Sequence, residues 1–240
     1  MNLKLDPSLI IVEALENREE QAAKLVKNGE ADGVMMGPKG FFEEHKKALQ
    51  EVLQTSSASI YSLMMLILQK GVYFISGTHT PSLESSKDLC AMGASCIKFV
   101  QNLGYEPKVA LLSHSHYGST EDDSAVKMRE SVTLLRGLFP NLDIDGEMHA
   151  DAAVSPNVAA KTAIYSALKG QANLLIMPSQ EAAHISYALL KSLGDGIAVG
   201  PVLLNVDYPA QILTSSITTR GILNLSALTV LMAQKTQRHS

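Results

Sequence analysis

The sequence contains no tryptophan, and aromatic residues make up only 5% of its 240 positions. Proteins that bind single-stranded nucleic acid use aromatic side chains on which the bases stack, so this scarcity argues against such a function. Strongly basic segments are missing as well, since the net charge is −4 and the best basic run is Lys46-Lys47. Without a basic patch the chain lacks the electrostatic attraction for a phosphate backbone, which argues against nucleic acid as its main partner.

Cysteine is nearly absent, because Cys90 and Cys96 are the only two in the chain. Their spacing falls within a helical pattern, which favours two buried free thiols over a disulfide or a redox pair. The N-terminal residues lack the apolar stretch of a secretory signal. The most apolar segment, Tyr61–Leu68, is far shorter than the ~20 residues that cross a bilayer. These features predict a cytoplasmic protein with no membrane partner.

Three motifs of common enzyme classes are also missing. The sequence has no G-x-S-x-G elbow, no Walker phosphate loop and no G-x-G-x-x-G dinucleotide loop. It therefore gives no support for covalent nucleophilic catalysis.

The chain does contain a regular alternation of strand and helix patterns. Hydrophobic residues make up 46% and charged residues 18%, which suits a buried core in a chain of this length. Near-continuous apolar strands predict an α/β fold with a mostly parallel sheet covered by helices on both faces, and a hairpin is predicted around Gln69-Lys70-Gly71. The predicted strands are 9–12, 33–37, 61–68, 72–76, 108–113, 142–148, 172–177, 197–204 and 210–214. The predicted helices are 16–28, 41–53, 82–103, 122–138, 158–168, 181–193 and 221–233.

Four loops attract interest because ligands in open α/β sheets bind beyond the carboxyl ends of the strands. They are rich in Ser, Thr, Gly or Pro and comprise residues 76–80, 113–119, 177–179 and 199–201. The second carries Ser113, Ser115 and Ser119 ahead of a predicted helix, where hydroxyl and backbone N–H donors suit a phosphate or carboxylate. Helix capping is the simpler explanation for the same serines, and both interpretations stay open.

Two clusters of polar residues have competing explanations. A zinc site can be drawn from His114, His116 and His149. However, the first two alternate in a loop without a nearby third ligand or a helical i, i+4 partner, so no metal is predicted. The acidic run 121–123 precedes a helix, where carboxylates complement the helix dipole, and a catalytic pair has no further support.

Three further polar side chains have simple structural explanations. Lys127 and Lys169 either steer anions or are ordinary solvated lysines. His184, on a predicted helix, is interpreted as a packed or surface histidine.

Several longer motifs occur in the order found in a known family. They are residues 106–115 (EPKVALLSHS), 118–119 (GS), 127–129 (KMR), 145–153 (DGEMHADAA), 168–175 (LKGQANLL), 181–187 (EAAHISY), 199–203 (VGPVL) and 212–214 (ILT), with a weaker extension at 30–35 (EADGVM). Through them, residues from about 106 to 234 resemble the phosphate acetyl/butyryltransferase family. The likeness is closest to the phosphotransacetylase-like C-terminal domain of bacterial NADP-dependent malic enzymes.

The resemblance implies a fold and a chemistry. It implies two α/β lobes with a cleft between them, as in the isocitrate/isopropylmalate dehydrogenase-like superfamily, and a homodimer. Residues 1–54 with 195–240 would form an N-terminally shortened first lobe, and residues 55–194 the second. The implied ligand is acetyl-CoA, CoA or a related acyl-CoA or acyl phosphate, with no covalently bound cofactor. The implied reaction converts acyl-CoA and phosphate to acyl phosphate and CoA, with a base taking the thiol proton and an arginine stabilising negative charge.

Two positions depart from the pattern of active members. These carry Ser-Arg-Gly-Cys after the last strand and an aspartate six residues beyond the arginine, whereas here the two positions hold Ser215 and Gly221. Neither residue can do the job of the group it replaces, so we expect an acyl-CoA-binding domain with little or no transferase activity. The alternatives are an active transferase that uses Arg220, and a structural remnant that binds no CoA. The ligand-binding residues predicted from the sequence are Ser113, Ser115, Ser119, Lys127, Gly200, Pro201, Thr214, Ser215 and Ser216; a tight turn is the competing explanation for the last five.

Overall fold

Residues 17–54, 58–80, 82–164 and 166–237 are described by a computed structural model of the chain. The chain divides into two units. Unit 1 comprises Met1–Ser57 and Val206–Ser240, and unit 2 comprises Ala58–Asn205.

Helices and strands alternate along most of the described chain, as predicted. The helices are α1 (Arg18–Lys27), α2 (Phe42–Leu53), α3 (Ser86–Asn102), α4 (Asp123–Leu138), α5 (Ala150–Val154), α6 (Pro156–Thr162), α7 (Gln180–Leu193) and α8 (Thr219–Gln237). The strands are β1 (Val34–Met36), β2 (Tyr61–Leu68), β3 (Gly71–Ser76), β4 (Val109–Leu112), β5 (Ile144–Met148), β6 (Leu174–Ile176), β7 (Ile197–Leu204) and β8 (Ala210–Ile212).

Unit 2 is built on a six-stranded sheet with the order β5-β4-β6-β3-β2-β7. The first four strands in this order are mutually parallel, while β2 is antiparallel to both β3 and β7. The pairing of β2 with β3 is the predicted hairpin, with Leu68 opposite Gly71 at the turn. The predicted α/β class with a mostly parallel sheet is confirmed.

Side chains on the two faces of the sheet pack against different helices. Ile75, Ala110 and Leu175 belong to a buried cluster that also contains Ala153 of α5 and Ala183 of α7. Successive residues of a strand point to opposite faces, so the neighbouring Phe74 and Leu111 face the other side. Both are fully buried on that side, where α3 and α4 contact the sheet.

The start of each long helix in unit 2 is fixed by a local signal. Ser85 caps α3 by accepting a hydrogen bond from Asp88 N–H, and the Asp88 carboxylate accepts one from Ser85 N–H. This reciprocal pair starts the helix at Ser86, later than the 82 predicted, because it satisfies the exposed N–H groups of the first turn. Asp122 caps α4 by accepting from Ala125 N–H at 3.0 Å, as the capping interpretation of the acidic run expects.

Unit 1 contains α1, α2 and α8 and a two-stranded parallel sheet of β1 and β8. The two strands are in register from Val34 opposite Ala210 to Met36 opposite Ile212. Their loops therefore leave the same edge, and they approach so closely that a Cβ on Gly37 would lie 2.4 Å from the Leu213 carbonyl oxygen.

Some predicted boundaries differ from the structure. The helix predicted at 158–168 is α6, which begins at Pro156, a position where proline is favoured, and ends at Thr162. A separate short helix, α5, precedes it, and the extended backbone of Ser155 divides the two. The lobe boundary predicted at residue 195 stays a prediction; in the structure β7 pairs with β2, and unit 2 extends to Asn205. The strand predicted at 9–12 lies outside the described residues.

The two cysteines are buried free thiols, as predicted. Both lie on α3, and Cys96 has no exposed surface. Burial raises the pKa of both thiols, because a thiolate would lose its hydration there.

Among the described residues, no helix combines the length and apolar character needed to span a membrane.

Candidate functional site

The carboxyl edge of the parallel strands in unit 2 gathers most of the loops singled out from the sequence. Because β3, β4, β5 and β6 are parallel, the loops that follow them leave the sheet at the same edge. Residues 77–80 follow β3, residues 113–122 follow β4 and residues 177–179 follow β6. Three of the four predicted loops therefore share one edge.

A pocket of about 530 Å³ opens between the loops that follow β3 and β6. Its volume falls in the usual range for small-molecule sites. Every residue that lines it belongs to unit 2. The lining residues are Gly77, Thr80, Ser82, Leu83, Lys127, Pro178, Ser179, Gln180, Glu181 and His184.

Buried hydroxyl groups hold the first of these loops in shape. Ser62 Oγ on β2 accepts a hydrogen bond from His79 N–H at 2.8 Å and lies 3.4 Å from Thr78 Oγ1. Thr80 Oγ1 in turn accepts from Ser62 N–H at 3.2 Å. Since all three hydroxyl-bearing residues are at most 3% exposed, these bonds give the pocket a rigid wall.

The pocket lining carries one lysine, one glutamate and one histidine. Lys127 reaches the pocket from α4, and its Nζ donates to the Leu83 carbonyl oxygen at 2.7 Å. His184 on α7 contacts His79 edge to face, with ring centroids 4.7 Å apart. His184 is thus part of a pocket, which its sequence context did not reveal.

The first turn of α7 also borders the pocket. Ser179 caps the helix by accepting a hydrogen bond from Ala182 N–H at 3.1 Å. The backbone N–H groups of Gln180 and Glu181 make no hydrogen bond to any residue that the structure describes. This end of the helix carries a partial positive charge, which favours an anion nearby.

The serines of the 113–119 loop are hydrogen-bonded mainly to one another and to the loop. Ser113 Oγ accepts from Ser115 N–H at 3.0 Å, and Ser119 Oγ accepts from His116 N–H at 2.9 Å. Ser115 is fully buried, and its hydroxyl donates to Glu147 Oε1 at 2.8 Å. Helix capping does not explain them, because Asp122 caps α4. Their predicted role in ligand binding stays a prediction.

The carboxylate of Glu147, on β5, accepts several hydrogen bonds from this loop and its neighbours. Besides Ser115, its carboxylate accepts from Gly118 N–H at 2.8 Å and from Arg129 Nε at 3.1 Å. Its side chain is only 1% exposed, whereas that of Arg129 is 35% exposed and also bonds Glu121. Burial by itself raises the pKa of Glu147, but the bonds from Arg129, Gly118 and Ser115 outweigh it, and the pKa lies below its ordinary value.

The three histidines considered for zinc come together without forming a metal site. The rings of His116 and His149 are 4.8 Å apart, and His149 Nε2 donates to the His114 carbonyl oxygen at 3.0 Å. His116 Nε2 donates to the Thr162 carbonyl oxygen at 2.9 Å. Across the described residues, no group of three His, Cys, Asp or Glu side chains is arranged to hold a metal ion.

In unit 1, the loop between β8 and α8 carries several of the predicted ligand-binding residues. Ser215 and Ser216 lie in an exposed turn, closed by a hydrogen bond from Ile217 N–H to the Thr214 carbonyl oxygen at 3.1 Å. Arg220 is exposed on the first turn of α8. Its side chain makes no hydrogen bond or ion pair with the described residues.

Gly200 and Pro201 do not lie in a loop, contrary to the local structure predicted for them. They are inside β7, where the register of its pairing with β2 shifts. Gly200 has φ of 135°, and a Cβ there would lie 3.0 Å from the Leu63 carbonyl oxygen, so the glycine permits close approach of two strands. Whether these residues contact a ligand stays a prediction.

Residues 9–230 match a protein family described as "Phosphate acetyl/butaryl transferase". The chain belongs to this family. It is 40% identical over 223 residues to the NADP-dependent malic enzyme of Salmonella typhimurium, covering 92% of this chain and 29% of that one. It is 32% identical over 230 residues to the phosphate acetyltransferase of Staphylococcus epidermidis, covering 92% of this chain and 70% of that one. Among solved structures, the EutD phosphotransacetylase from Staphylococcus aureus superposes with a TM-score of 0.80 at 29% identity, covering 90% of this chain and 68% of that one.

These similarities confirm the predicted family, including its link to malic enzymes. The chain spans less than a third of the length of the malic enzymes that it matches and about 70% of that phosphate acetyltransferase.

Two side-chain contacts of these loops could not be predicted from the sequence. Glu147 belongs to the motif at 145–153, but the motif alone does not indicate which residues bond its carboxylate. A carboxylate in a buried strand needs hydrogen bonds or a cation, and the arginine within the KMR motif was available to supply them. Nothing in the sequence joins His79 to His184, because over a hundred positions separate them.

Proposed function

We propose that the chain binds acetyl-CoA, or a related acyl-CoA or acyl phosphate, and catalyses acyl transfer weakly or not at all, in a regulatory role. One observation carries this proposal. The two positions that hold the arginine and the aspartate in active transferases are Ser215 and Gly221 here. A neutral hydroxyl cannot stabilise negative charge as a guanidinium does, and glycine has no side chain to accept the CoA thiol proton.

The residues around Gly221 leave no room for the aspartate that active members carry at this position. A Cβ at this position would lie 2.8 Å from Ile217 Cγ1, so the isoleucine side chain fills space that a carboxylate would need. Gly221 N–H donates to Thr218 Oγ1 at 3.1 Å, which fixes the first turn of α8. An aspartate here would require Ile217 to move.

The pocket in unit 2 supports the proposal that the chain binds a ligand. The pocket in unit 2 is large enough for part of an acyl-CoA and is lined by Lys127, one of the residues predicted to bind the ligand. The thiol, pantetheine and phosphate groups of CoA ask for a mixture of polar and apolar lining, which the pocket offers through Thr80, Leu83 and Pro178.

The test measures binding and turnover on the same preparation. Isothermal titration with acetyl-CoA should show binding, while a thiol-release assay with acetyl-CoA and phosphate should show no turnover above background. Vigorous acetyl phosphate formation would refute the proposal. The absence of any acyl-CoA binding would refute it as well and would leave a structural remnant.

A gain-of-function variant tests the stated cause of inactivity. Ser215→Arg with Gly221→Asp restores both groups, and Ile217→Ala added to them makes room for the carboxylate. We expect turnover only when all three changes are combined. The matched control is Ile217→Ala alone, which opens the space without supplying either group.

An active phosphate acetyl/butyryltransferase is the second candidate. Arg220 favours it, because its exposed guanidinium beside the serine turn makes no hydrogen bond or ion pair with the described residues. If Arg220 stabilises charge in a transferase reaction, Arg220→Ala should abolish turnover, and Arg220→Lys should restore part of it. Arg18→Ala is the control, since Arg18 is also a partly exposed arginine of unit 1. A homodimer and a cytoplasmic location stay predictions, and light scattering tests the first.

A further inference from the structure

Three side-chain rings contact one another at the carboxyl edge of the unit 2 sheet, and we call them the ring ladder: His149, His116 and Tyr117. The rings of His149 and His116 are 4.8 Å apart and tilted by 31° from parallel. The ring of Tyr117 lies 4.8 Å from that of His116, edge to face. His149 and Tyr117 are exposed and His116 is half-buried, so burial of apolar surface does not account for their alignment.

Hydrogen bonds hold each ring of the ladder in place. His116 Nε2 donates to the Thr162 carbonyl oxygen at 2.9 Å, and His116 Nδ1 accepts from His149 N–H at 3.2 Å. His149 Nε2 donates to a carbonyl oxygen of the loop after β4 at 3.0 Å. The Tyr117 hydroxyl donates to the buried carboxylate of Asp145 at 2.8 Å. Because the rings are already fixed, a ligand that stacks on them costs little side-chain entropy.

We infer that the exposed face of His149, whose ring rests on His116, stacks the adenine base of a CoA-type ligand. The inference rests on the proposed function in one respect, since it takes the base to be that of the acyl-CoA. It adds a nucleotide subsite outside the pocket, on side chains that are not among the ligand-binding residues predicted from the sequence.

A flat aromatic ligand suits the ladder better than a metal ion does. Both ring nitrogens of His116 and one of His149 are engaged in hydrogen bonds with the described residues. A zinc ion needs several free ligands, which this arrangement does not provide. Stacking uses the face of a ring instead of its nitrogens, and every base has such a face to offer.

The ladder and the pocket lie at a distance that one CoA molecule can span. The pocket lies between the loops that follow β3 and β6, while the ladder comes from the loops that follow β4 and β5. These strands are neighbours in the order β5-β4-β6-β3. Neighbouring strands are ~4.8 Å apart, so the two sites are separated by about 10 Å along the sheet edge. An extended CoA molecule is longer than this, so its base can lie on the ladder while its thioester lies in the pocket.

Two variants of His149 separate stacking from the structural role of the residue. His149→Gln can still donate a hydrogen bond to the loop carbonyl oxygen but has no ring, and we expect it to bind acetyl-CoA and AMP about five- to tenfold more weakly. His149→Phe loses the hydrogen bond but keeps a ring, and it should retain most of the affinity. Pantetheine has no base and should bind the wild type and both variants equally. Phe41→Ala is the matched control, since Phe41 is a ring in unit 1 that is 75% exposed.

Nuclear magnetic resonance detects the contact itself. The ring protons of His149, assigned by their absence from the spectrum of His149→Gln, should show nuclear Overhauser effects to the adenine ring protons of bound acetyl-CoA. Circular dichroism checks that each variant is folded.

The outcomes distinguish this inference from the proposed function. Equal affinity of acetyl-CoA for the wild type and His149→Gln would overturn the inference alone. AMP binding that depends on His149, without any binding of acetyl-CoA, would refute the proposed function and support the base site. Tighter binding of AMP than of acetyl-CoA would overturn the assignment of the base to CoA, because free nucleotides would then be the better ligands.

Discussion

Replacing Glu147 by glutamine should loosen the loop that follows β4. The amide oxygen of glutamine can take over Oε1, keeping the bonds from Ser115 and Gly118. At present Arg129 Nε donates to a Glu147 carboxylate oxygen at 3.1 Å. In the variant the amide NH₂ would occupy that place, so two hydrogen-bond donors would face each other. A charge-assisted hydrogen bond contributes about 1.5–3 kcal/mol, and the mispaired buried donors cost more, so we expect a loss of about 2–4 kcal/mol in the free energy of unfolding.

The assay combines a global and a local measurement. Urea unfolding followed by far-ultraviolet circular dichroism gives the stability of the chain, since there is no tryptophan to report by fluorescence. Amide hydrogen exchange at Gly118 reports the loop directly, because this N–H is bonded to the Glu147 carboxylate at 2.8 Å. In Glu147→Gln we expect faster exchange at Gly118 together with the lower unfolding midpoint.

Glu121→Gln is the matched control for the same arginine. Its side chain is 71% exposed and bonds Arg129 at 3.0 Å, so water replaces the lost contact and the stability should barely change. Equal destabilisation by the two variants would refute the reasoning, because it would mean that burial of Glu147 makes no difference.

Three further predictions follow from particular contacts. The pKa of Glu147 is lowered in the folded chain, so its stabilising contribution is complete above the ordinary carboxyl pKa of about 4.3 and is lost as the pH falls through the lower folded value. The free energies of unfolding of wild type and Glu147→Gln should therefore converge as the pH is lowered. Gly37→Ala should destabilise unit 1 by about 2 kcal/mol or more, because φ is 89° and the new Cβ would lie 2.4 Å from the Leu213 carbonyl oxygen. The control, Gly137→Ala on α4, meets nothing within 4 Å and should raise the stability by up to about 1 kcal/mol; thermal melts measure both. Cys96 should react with a thiol reagent only as fast as the chain opens, because it is buried and its pKa is raised; fast labelling of the native chain would contradict this.

Much of the local structure could be predicted because it depends on neighbours in sequence. The Gln69-Lys70-Gly71 turn predicted the hairpin, and the acidic run predicted the cap of α4 at Asp122. Predictions failed where a distant contact decides the outcome. Gly200 has the composition of a loop, but the pairing of β7 with β2 holds it inside a strand.

Residue order is enough to predict the alternation of strands and helices and the family, and it shows that position 215 holds no arginine and position 221 no aspartate. Which loops meet depends on contacts between residues far apart in the chain, so it is seen only in the folded structure. The parallel arrangement of β3 and β6 brings residues 77–80 beside 177–181, and the packing of α4 adds Lys127 to the same pocket. The hydrogen bond between Glu147 and Arg129 is a second such contact. A buried carboxylate has no water to bond, so its hydrogen-bond donors must come from the protein.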